Sequence, residues 1–367
     1  MKIRPFKASF PNPDLVSSPD SFFDRVSAEY INLRASGFFK YTEENNIYVY
    51  RISGKNTALS ILASNDLSDV DDRKILGHEK TLTENEQDMM QLLLLRKAMI
   101  KPVLLAYPDQ KAISKWMVEI TKASQPFLSF RMEKTNELHE FWAVSGDAQI
   151  KHISQMFQKL VPKSYIADGH HRIAVSNKLI HKNYLGHQSE QNGVLCAYFP
   201  LSHLYIHDYN RVVSLPPHMS YIKWIASISK YLKLKPIPKA AKPSHKHSMT
   251  LVIDKEWYLC TWRKKYIVAL EGNKPILDVD LFNHFLLEQA LAIPDIKLAQ
   301  NIQYVSGIAG TNGLENTTQK SPNSVGFCLY PISREEVLAT AEAHEYLPPK
   351  STWFEPRLRN GMLILDF

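Results

Sequence analysis

The feature that most constrains this chain is the stretch Ser164-Tyr-Ile-Ala-Asp168-Gly169-His170-His171-Arg172-Ile-Ala-Val175, in which a short apolar run stops at Asp-Gly and turns into a helical pattern. A strand ending on that dipeptide must turn sharply, and Gly169 removes the Cβ where it does so. The helix that follows leaves its first N–H groups without intrahelical partners, and its dipole adds partial positive charge there. Such a helix start suits an anion. Arg172 offers a planar fork matched to two phosphate oxygens, while His170 and His171 add donors whose charge is tunable near neutral pH. An Asp-Gly turn capping an ordinary surface helix is the plainer account. Two adjacent histidines and an arginine crowded onto one helix start favour a ligand.

Around this point the chain alternates between the two hydrophobic periods. A helix is expected near Asp20–Ser36 and a strand at Asn46–Ile52. Thr83-Glu-Asn-Glu86 reads as a capping box for a helix from about Glu84 to Ala98, whose leucines are assigned to the core. Lys101–Tyr107 reads as a buried strand, Gln110–Lys122 as a helix, Glu140–Val144 as a strand and Gln149–Leu160 as a helix. After the Asp168 helix come a polar loop, His187–Gly193, and the apolar strand Val194–Phe199. Ser333-Arg-Glu-Glu336 is a second capping box, and the last residues form an extended tail. The alternation predicts an α/β or α+β sheet covered by helices. A chain of 367 residues exceeds one ordinary core, and the proline-rich change at Leu215-Pro-Pro-His marks a boundary. The expected division is a core α/β domain at 1–211, a second α+β subdomain or insertion at 212–325, and a strand, helix and tail at 326–367 packing back on the core.

Composition narrows the function classes. With 44% hydrophobic and 22% charged residues and no apolar run of membrane-spanning length, the chain reads as globular, with no membrane partner. The opening Met-Lys-Ile-Arg-Pro-Phe-Lys7 lacks an apolar stretch behind its basic residues, so a cytoplasmic location is expected. Cys196, Cys260 and Cys328 are far apart with apolar neighbours, which fits buried thiols better than a disulfide framework. The net charge of +7 is spread along the chain, and no zinc finger, RNA-recognition motif or helix-turn-helix accompanies it, which argues against nucleic acid as the partner. The one dense basic patch, Lys233 to His247, is broken by prolines and reads as a solvated connection. The sequence does not specify an oligomeric state. No Walker A motif, Rossmann fingerprint, kinase loop set or Gly-x-Ser-x-Gly elbow is present.

Asp168-Gly-His-His-Arg172 resembles the signature of domain-of-unknown-function family 1015. Other segments agree with that family in the same order: Gly77-His78-Glu79-Lys80-Thr81, Lys101-Pro-Val-Leu-Leu-Ala-Tyr107, Leu204-Tyr-Ile-His-Asp-Tyr-Asn-Arg211 and Leu347-Pro-Pro-Lys-Ser-Thr-Trp-Phe-Glu-Pro356. The resemblance covers roughly residues 74 to 367. Where family members open with a Pro-Pro-Tyr-Asp-Val-like stretch, this chain reads Asp14-Leu-Val-Ser-Ser-Pro-Asp20-Ser. The family is in turn similar to the archaeal free serine kinases, which share a fold with the ParB N-terminal domain and sulfiredoxin. This implies a ParB/sulfiredoxin-like mixed sheet core and a nucleotide, ATP or ADP, with Mg²⁺. A sulfiredoxin-type redox role is disfavoured, since the loop offers histidine where a nucleophilic cysteine would be needed.

On that resemblance Glu79 is similar to the glutamate that serves as base in the serine kinases. In phosphoryl transfer to a hydroxyl, a positioned carboxylate aids the nucleophile while cations neutralise charge on the transferred group. The expected catalytic set is Glu79, His78 and His170, with Thr81 a lesser candidate. The expected nucleotide-binding set is Asp168, Gly169, His170, His171, Arg172 and Lys350. Asp168 has three candidate roles: fixing the turn, binding Mg²⁺, or accepting a hydrogen bond from a substrate amine. Arg211, Ser351 and Thr352 are further candidate phosphate contacts. The leading expectation is a nucleotide-dependent phosphotransferase for a small hydroxylated metabolite, free L-serine first. The alternative is a ParB-like nucleotide- or phosphate-binding regulatory or DNA-associated module without catalysis.

Overall fold

The computed structural model describes residues 1–81, 83–181, 193–270, 275–293 and 300–367. The chain divides into two compact units, Met1–Tyr205 with Pro356–Phe367, and Ile206–Glu355. Each has a sheet covered by helices, so the architecture is mixed α/β.

Among the described residues the first unit carries a nine-stranded sheet. In spatial order its strands are Ile75–Leu76, Ser164–Asp168, Val103–Tyr107, Val194–Pro200, Thr57–Asn65, Ile47–Ser53, Glu137–Val144 and Leu128–Met132, with Ile3–Arg4 pairing the end of Thr57–Asn65. Burial explains the sequence patterns. Val103–Tyr107 and Val194–Pro200 lie mid-sheet and are buried at every residue, so they read as continuous apolar runs. Leu128–Met132, at the edge, alternates buried and exposed residues. The amphipathic helices Lys111–Ala123 and Asp147–Leu160 bury Ile113, Trp116 and Met117, and Ile153 and Phe157. The Phe157 ring meets Tyr107 and Tyr198 edge-on at centroid distances of 5.3 and 5.1 Å. A smaller sheet joins Phe39–Tyr41, Ala8–Pro11, Ile364–Asp366 and Ala98–Met99, so both ends of the chain are tied into this unit.

The stretch Asp14–Ser21 has a structural task here. Asp20, near the start of the helix Pro19–Ala35, is 8% exposed and its carboxylate accepts hydrogen bonds from the backbone N–H groups of Glu133 (2.8 Å) and Lys134 (3.3 Å). It therefore holds the turn between the strands Leu128–Met132 and Glu137–Val144.

The helix Thr83–Arg96 corrects the assignment of its leucines to the core. Leu93 is buried, while Leu92, Leu94 and Leu95 are exposed, Leu95 at 68%. Four consecutive leucines face every side of a helix, and this one packs along one face, against the helix His170–His181. The side chain of Thr83 lies outside the described residues. Glu86, its expected capping partner, is buried and pairs with Lys178 of the facing helix.

The second unit has a six-stranded sheet in the order Leu232–Ile237, Glu256–Trp262, Ser248–Ile253, Ser324–Leu329, Tyr209–Ser214, Ile302–Ser306. The helix Gly310–Lys320 lies across it, and Val212, Val252, Trp257, Val305, Leu314 and Cys328 form a core cluster. The expected division at 211/212 and 325/326 cuts through this sheet. Tyr209–Ser214 and Ser324–Leu329 are hydrogen-bonded neighbours inside it, so residues 326–355 group with the second unit, and Pro356–Phe367 with the first. The basic segment beginning at Lys233 is likewise more than a solvated connection. Leu232–Ile237 is an edge strand, where outward lysines and Pro236 block pairing with another chain. Lys246 then pairs with Glu336.

Among the described residues no helix is long and apolar enough to cross a membrane. All three cysteines are buried and unbonded, and burial pushes the thiols of Cys260 and Cys328 up to about 12. Residues 187–192 of the expected polar loop lie outside the described residues.

The second capping box is complete: the Ser333 hydroxyl accepts from the N–H of Glu336 at 3.1 Å, and the Glu336 carboxylate accepts from the N–H of Ser333 at 2.9 Å. Ser333→Ala is expected to cost about 1 kcal/mol, read as a lower urea midpoint for the second unit, whereas Ser333→Asp retains the parent value.

Candidate functional site

Sheet direction brings the two motifs together. Ser164–Asp168 runs parallel to Ile75–Leu76, with Ser164 opposite Ile75 and Tyr165 opposite Leu76. Parallel neighbours end at the same sheet edge, so Gly77-His78-Glu79 and Asp168-Gly169-His170 leave side by side. Carboxyl ends of strands are where α/β sheets place ligands. On the other side Val103–Tyr107 runs antiparallel to Ser164–Asp168, which puts its starting end, Lys101-Pro102, at that same edge. The register shifts between Ile166 and Asp168, re-aiming the chain just before the turn.

Gly169 has φ +106°, a conformation side chains rarely adopt, and the helix His170–His181 follows directly. A Cβ here would sit 2.8 Å from the Arg172 Nη2. The guanidinium is folded back over the turn: Nη2 donates to Asp168 Oδ2 at 2.7 Å, and Nη1 donates to the carbonyls of Lys101 (3.2 Å) and Pro102. With 11% of its side chain exposed, Arg172 spends much of its fork on the protein itself.

Lys101 was not among the residues expected from sequence. Its Nζ lies 3.2 Å from Asp168 Oδ2, so one carboxylate faces two cations. Burial alone would raise the Asp168 carboxyl. Arg172 and Lys101 outweigh that, Arg357 adds to them, and the group is held well below the usual carboxylate range. Burial also lowers the ammonium of Lys101, which Asp168 offsets in part. Two cations thus meet at one carboxylate, and Arg357 is near enough to act on it. The signal for Lys101 in the sequence was a basic residue immediately before a buried strand, and strand pairing alone reveals its neighbour.

One oxygen of Asp168, Oδ2, already faces Arg172 and Lys101, and among the described residues no group of three His, Cys, Asp or Glu side chains is placed to hold a metal.

The histidines are packed rather than displayed. His78 and His170 are 2% and 6% exposed, and their rings meet edge-on at 4.7 Å. The backbone N–H of His78 donates to His170 Nε2 at 3.3 Å, across 92 residues of sequence. A Cβ on Gly77 would sit 3.1 Å from His170 Cδ2, so glycine there admits the ring. Burial pushes His78 down to about 4. Burial, then the nearby His78, hold His170 well below its ordinary value. Both are neutral at pH 7. Glu79, whose side chain is 45% exposed, places Oε2 3.7 Å from His170 Nδ1. His171 is half-buried, and its Nδ1 has no hydrogen-bond partner among the described residues.

Residues 7–282 match the family described as Protein of unknown function (DUF1015). The chain belongs to that family. No curated protein matches the sequence. Among solved structures the chain is similar to a free serine kinase in complex with AMP, at 13% identity and TM-score 0.41, covering 86% of this chain and 93% of that one. It is also similar to a conserved hypothetical protein from Pyrococcus furiosus, at 14% identity and TM-score 0.37, covering 80% and 92%. A third is SbnI with C-terminal truncation from Staphylococcus aureus, at 12% identity and TM-score 0.40, covering 82% and 85%.

In this DUF1015 protein Lys350, Arg211 and Ser351 belong to the second unit. Arg211 is 1% exposed. It donates to the carbonyls of Tyr209 (2.7 Å) and Lys350 (3.4 Å) and lies between the rings of Phe282 and Tyr304 at 5.6 and 5.5 Å. Burial lowers it to about 10. The Lys350 ammonium sits 5.8 Å from the Tyr209 ring centroid, and the Ser351 hydroxyl donates to the carbonyl of Pro348 at 2.6 Å. These contacts account for Arg211 and Ser351 as anchors of the segment before residue 356.

Two outcomes follow. Gly169→Ala meets both a positive φ and the Arg172 fork, and is expected to lose about 1–3 kcal/mol in urea unfolding of the first unit. The Asp168 carboxyl titrates lower in the folded than in the unfolded state, so its stabilisation is present above the ordinary carboxylate range and fades as pH falls through it. The urea midpoint of Asp168→Asn should therefore trail the parent at pH 7, and the gap should narrow as pH falls from about 5 toward 3 and close only below the folded value; a gap of constant size from pH 7 to 3 would mean the carboxylate charge is not what the site uses.

Proposed function

We propose that this chain is a nucleotide-dependent phosphotransferase for a small hydroxylated metabolite, with free L-serine the first acceptor to test. The observation that carries the reading is the meeting at one sheet edge of a half-exposed carboxylate, Glu79, with the cations gathered at Asp168. A polyphosphate needs the second, and a hydroxyl nucleophile the first.

In this reading Lys101, Arg172 and Arg357 draw the phosphates to the edge, and the first-turn N–H groups of the helix His170–His181 face the oxygens. Asp168 holds the two nearer cations in place and keeps the turn. Glu79 takes the acceptor's hydroxyl proton as that oxygen bonds to the terminal phosphorus. The bond from phosphorus to the bridging oxygen breaks, and its electron pair leaves with the nucleotide, as ADP from ATP or AMP from ADP. His78 and His170, neutral and buried, support Glu79 from beneath and do not serve as phosphate-binding cations.

The test is ³¹P NMR of the full chain with Mg²⁺, ATP or ADP, and L-serine, followed by a panel of small alcohols. A phosphomonoester should appear. Glu79→Gln should slow its formation roughly 10²- to 10⁴-fold with nucleotide affinity by calorimetry unchanged, and Lys101→Met should weaken that affinity. Nucleotide binding without a phosphomonoester from any acceptor would leave a phosphate-binding protein and overturn the catalytic reading.

A further inference from the structure

We propose that His170 is a positioning residue for Glu79, acting as a neutral imidazole that carries its proton on Nδ1 and presents it to the Glu79 carboxylate. This deepens the phosphotransferase reading and rests on it for the role of Glu79 as base.

The direction of one hydrogen bond decides where the proton sits. The backbone N–H of His78 points at His170 Nε2, 3.3 Å away. A backbone N–H only donates, so Nε2 presents its lone pair, and a neutral imidazole then keeps its single hydrogen on Nδ1. An imidazolium would set N–H against N–H at Nε2. Burial of the ring and the neighbouring His78, His171 and Arg172 disfavour that second charge as well. The face left with the hydrogen is the one toward Glu79 Oε2.

The two partners differ in what holds them. The His170 ring is fixed by the Gly77 backbone, by the edge-on ring of His78 and by near-complete burial. The Glu79 side chain is nearly half exposed. At 3.7 Å the pair is longer than a hydrogen bond, and contacts of this kind close when substrate fills the site. A buried donor beside a carboxylate that reaches the surface is what orienting a base requires: one oxygen held by Nδ1–H, the other turned to the acceptor hydroxyl. Through transfer His170 keeps its proton, and the hydroxyl proton goes to Glu79.

The test begins with ¹⁵N-histidine-labelled full chain and long-range ¹H–¹⁵N correlation at pH 7.5. His170 is expected as the Nδ1–H tautomer, with an Nδ1 shift that moves in Glu79→Ala. The opposite tautomer, an imidazolium, or an Nδ1 shift indifferent to Glu79 would overturn the proposal, whether or not any phosphate transfer is found. Activity gives the second arm. The amide of His170→Asn occupies the place of Nδ1–H, whereas that of His170→Gln reaches the place of Nε2. His170→Asn should stay within about 10-fold of the parent kcat and His170→Gln should fall about 10²-fold, each with an unchanged nucleotide KM and a parent-like melting profile. Equal losses in the two variants, or a loss confined to KM, would also overturn it. Absence of transfer in the parent would instead sink the phosphotransferase reading, and the NMR arm would still decide the His170–Glu79 pairing.

Discussion

The parallel pairing of Ser164-Tyr165 with Ile75-Leu76 is the constraint on which the candidate site depends. It spans only two residues on its short side, yet it sets the sheet edge at which Gly77–Glu79 emerges. Neither motif could build the site alone. Ile75–Leu76 is too short to hold a position without its neighbour, and the Asp168 turn has no carboxylate beyond Asp168 itself. The antiparallel strand Val103–Tyr107 completes the edge, because its direction delivers Lys101 where its neighbour delivers Asp168. A helix start, a carboxylate and a cation thus come from three separate parts of the chain with little backbone between sheet and site.

Electrostatics at this edge follow from unequal burial. The cations are a lysine and arginines, whereas the two histidines are kept neutral by their surroundings. Asp168 stays ionised because Arg172 and Lys101 face it. It therefore acts as an anchor: it holds Arg172 over the turn and Lys101 beside it, and by doing so keeps two long side chains from wandering. Order of this kind matters for anion binding, since a preformed cluster loses less side-chain entropy when the ligand arrives.

How much of this was legible in the sequence depends on range. The Asp-Gly turn and the helix after it were readable because their cause is local: φ +106° at position 169 demands glycine, and the helix begins in the next residue. The Ser333–Glu336 capping box was readable for the same reason. Lys101 was not, because its neighbour is set by strand pairing across the sheet. The leucines Leu92, Leu94 and Leu95 misled because hydrophobicity gives a preference for burial, not the identity of the face that finds a partner. The direction in which Arg172 reaches was not legible either. A guanidinium one turn into a helix can reach forward to a ligand or back to the turn, and the carbonyls of Lys101 and Pro102, invisible in sequence, tip it backward. The boundary at residue 211 fell inside a sheet because proline-rich segments mark exposed turns as readily as domain ends.

The same division of charge bears on pH. A site whose anion affinity came from histidine would lose it as pH rises through the ordinary imidazole range. Here the cations at the edge are Lys101, Arg172 and Arg357, and burial already holds His78 near 4 and His170 well below its usual value. Anion affinity should then be flat from about pH 6 to 8, apart from the ligand's own second ionisation, which raises phosphate charge near pH 6. Sulfate, whose charge is constant over that interval, separates the two contributions. A sulfate affinity that falls steeply between pH 6 and 8 would mean that an imidazole beside the Asp168 turn supplies charge that the geometry of His78 and His170 denies.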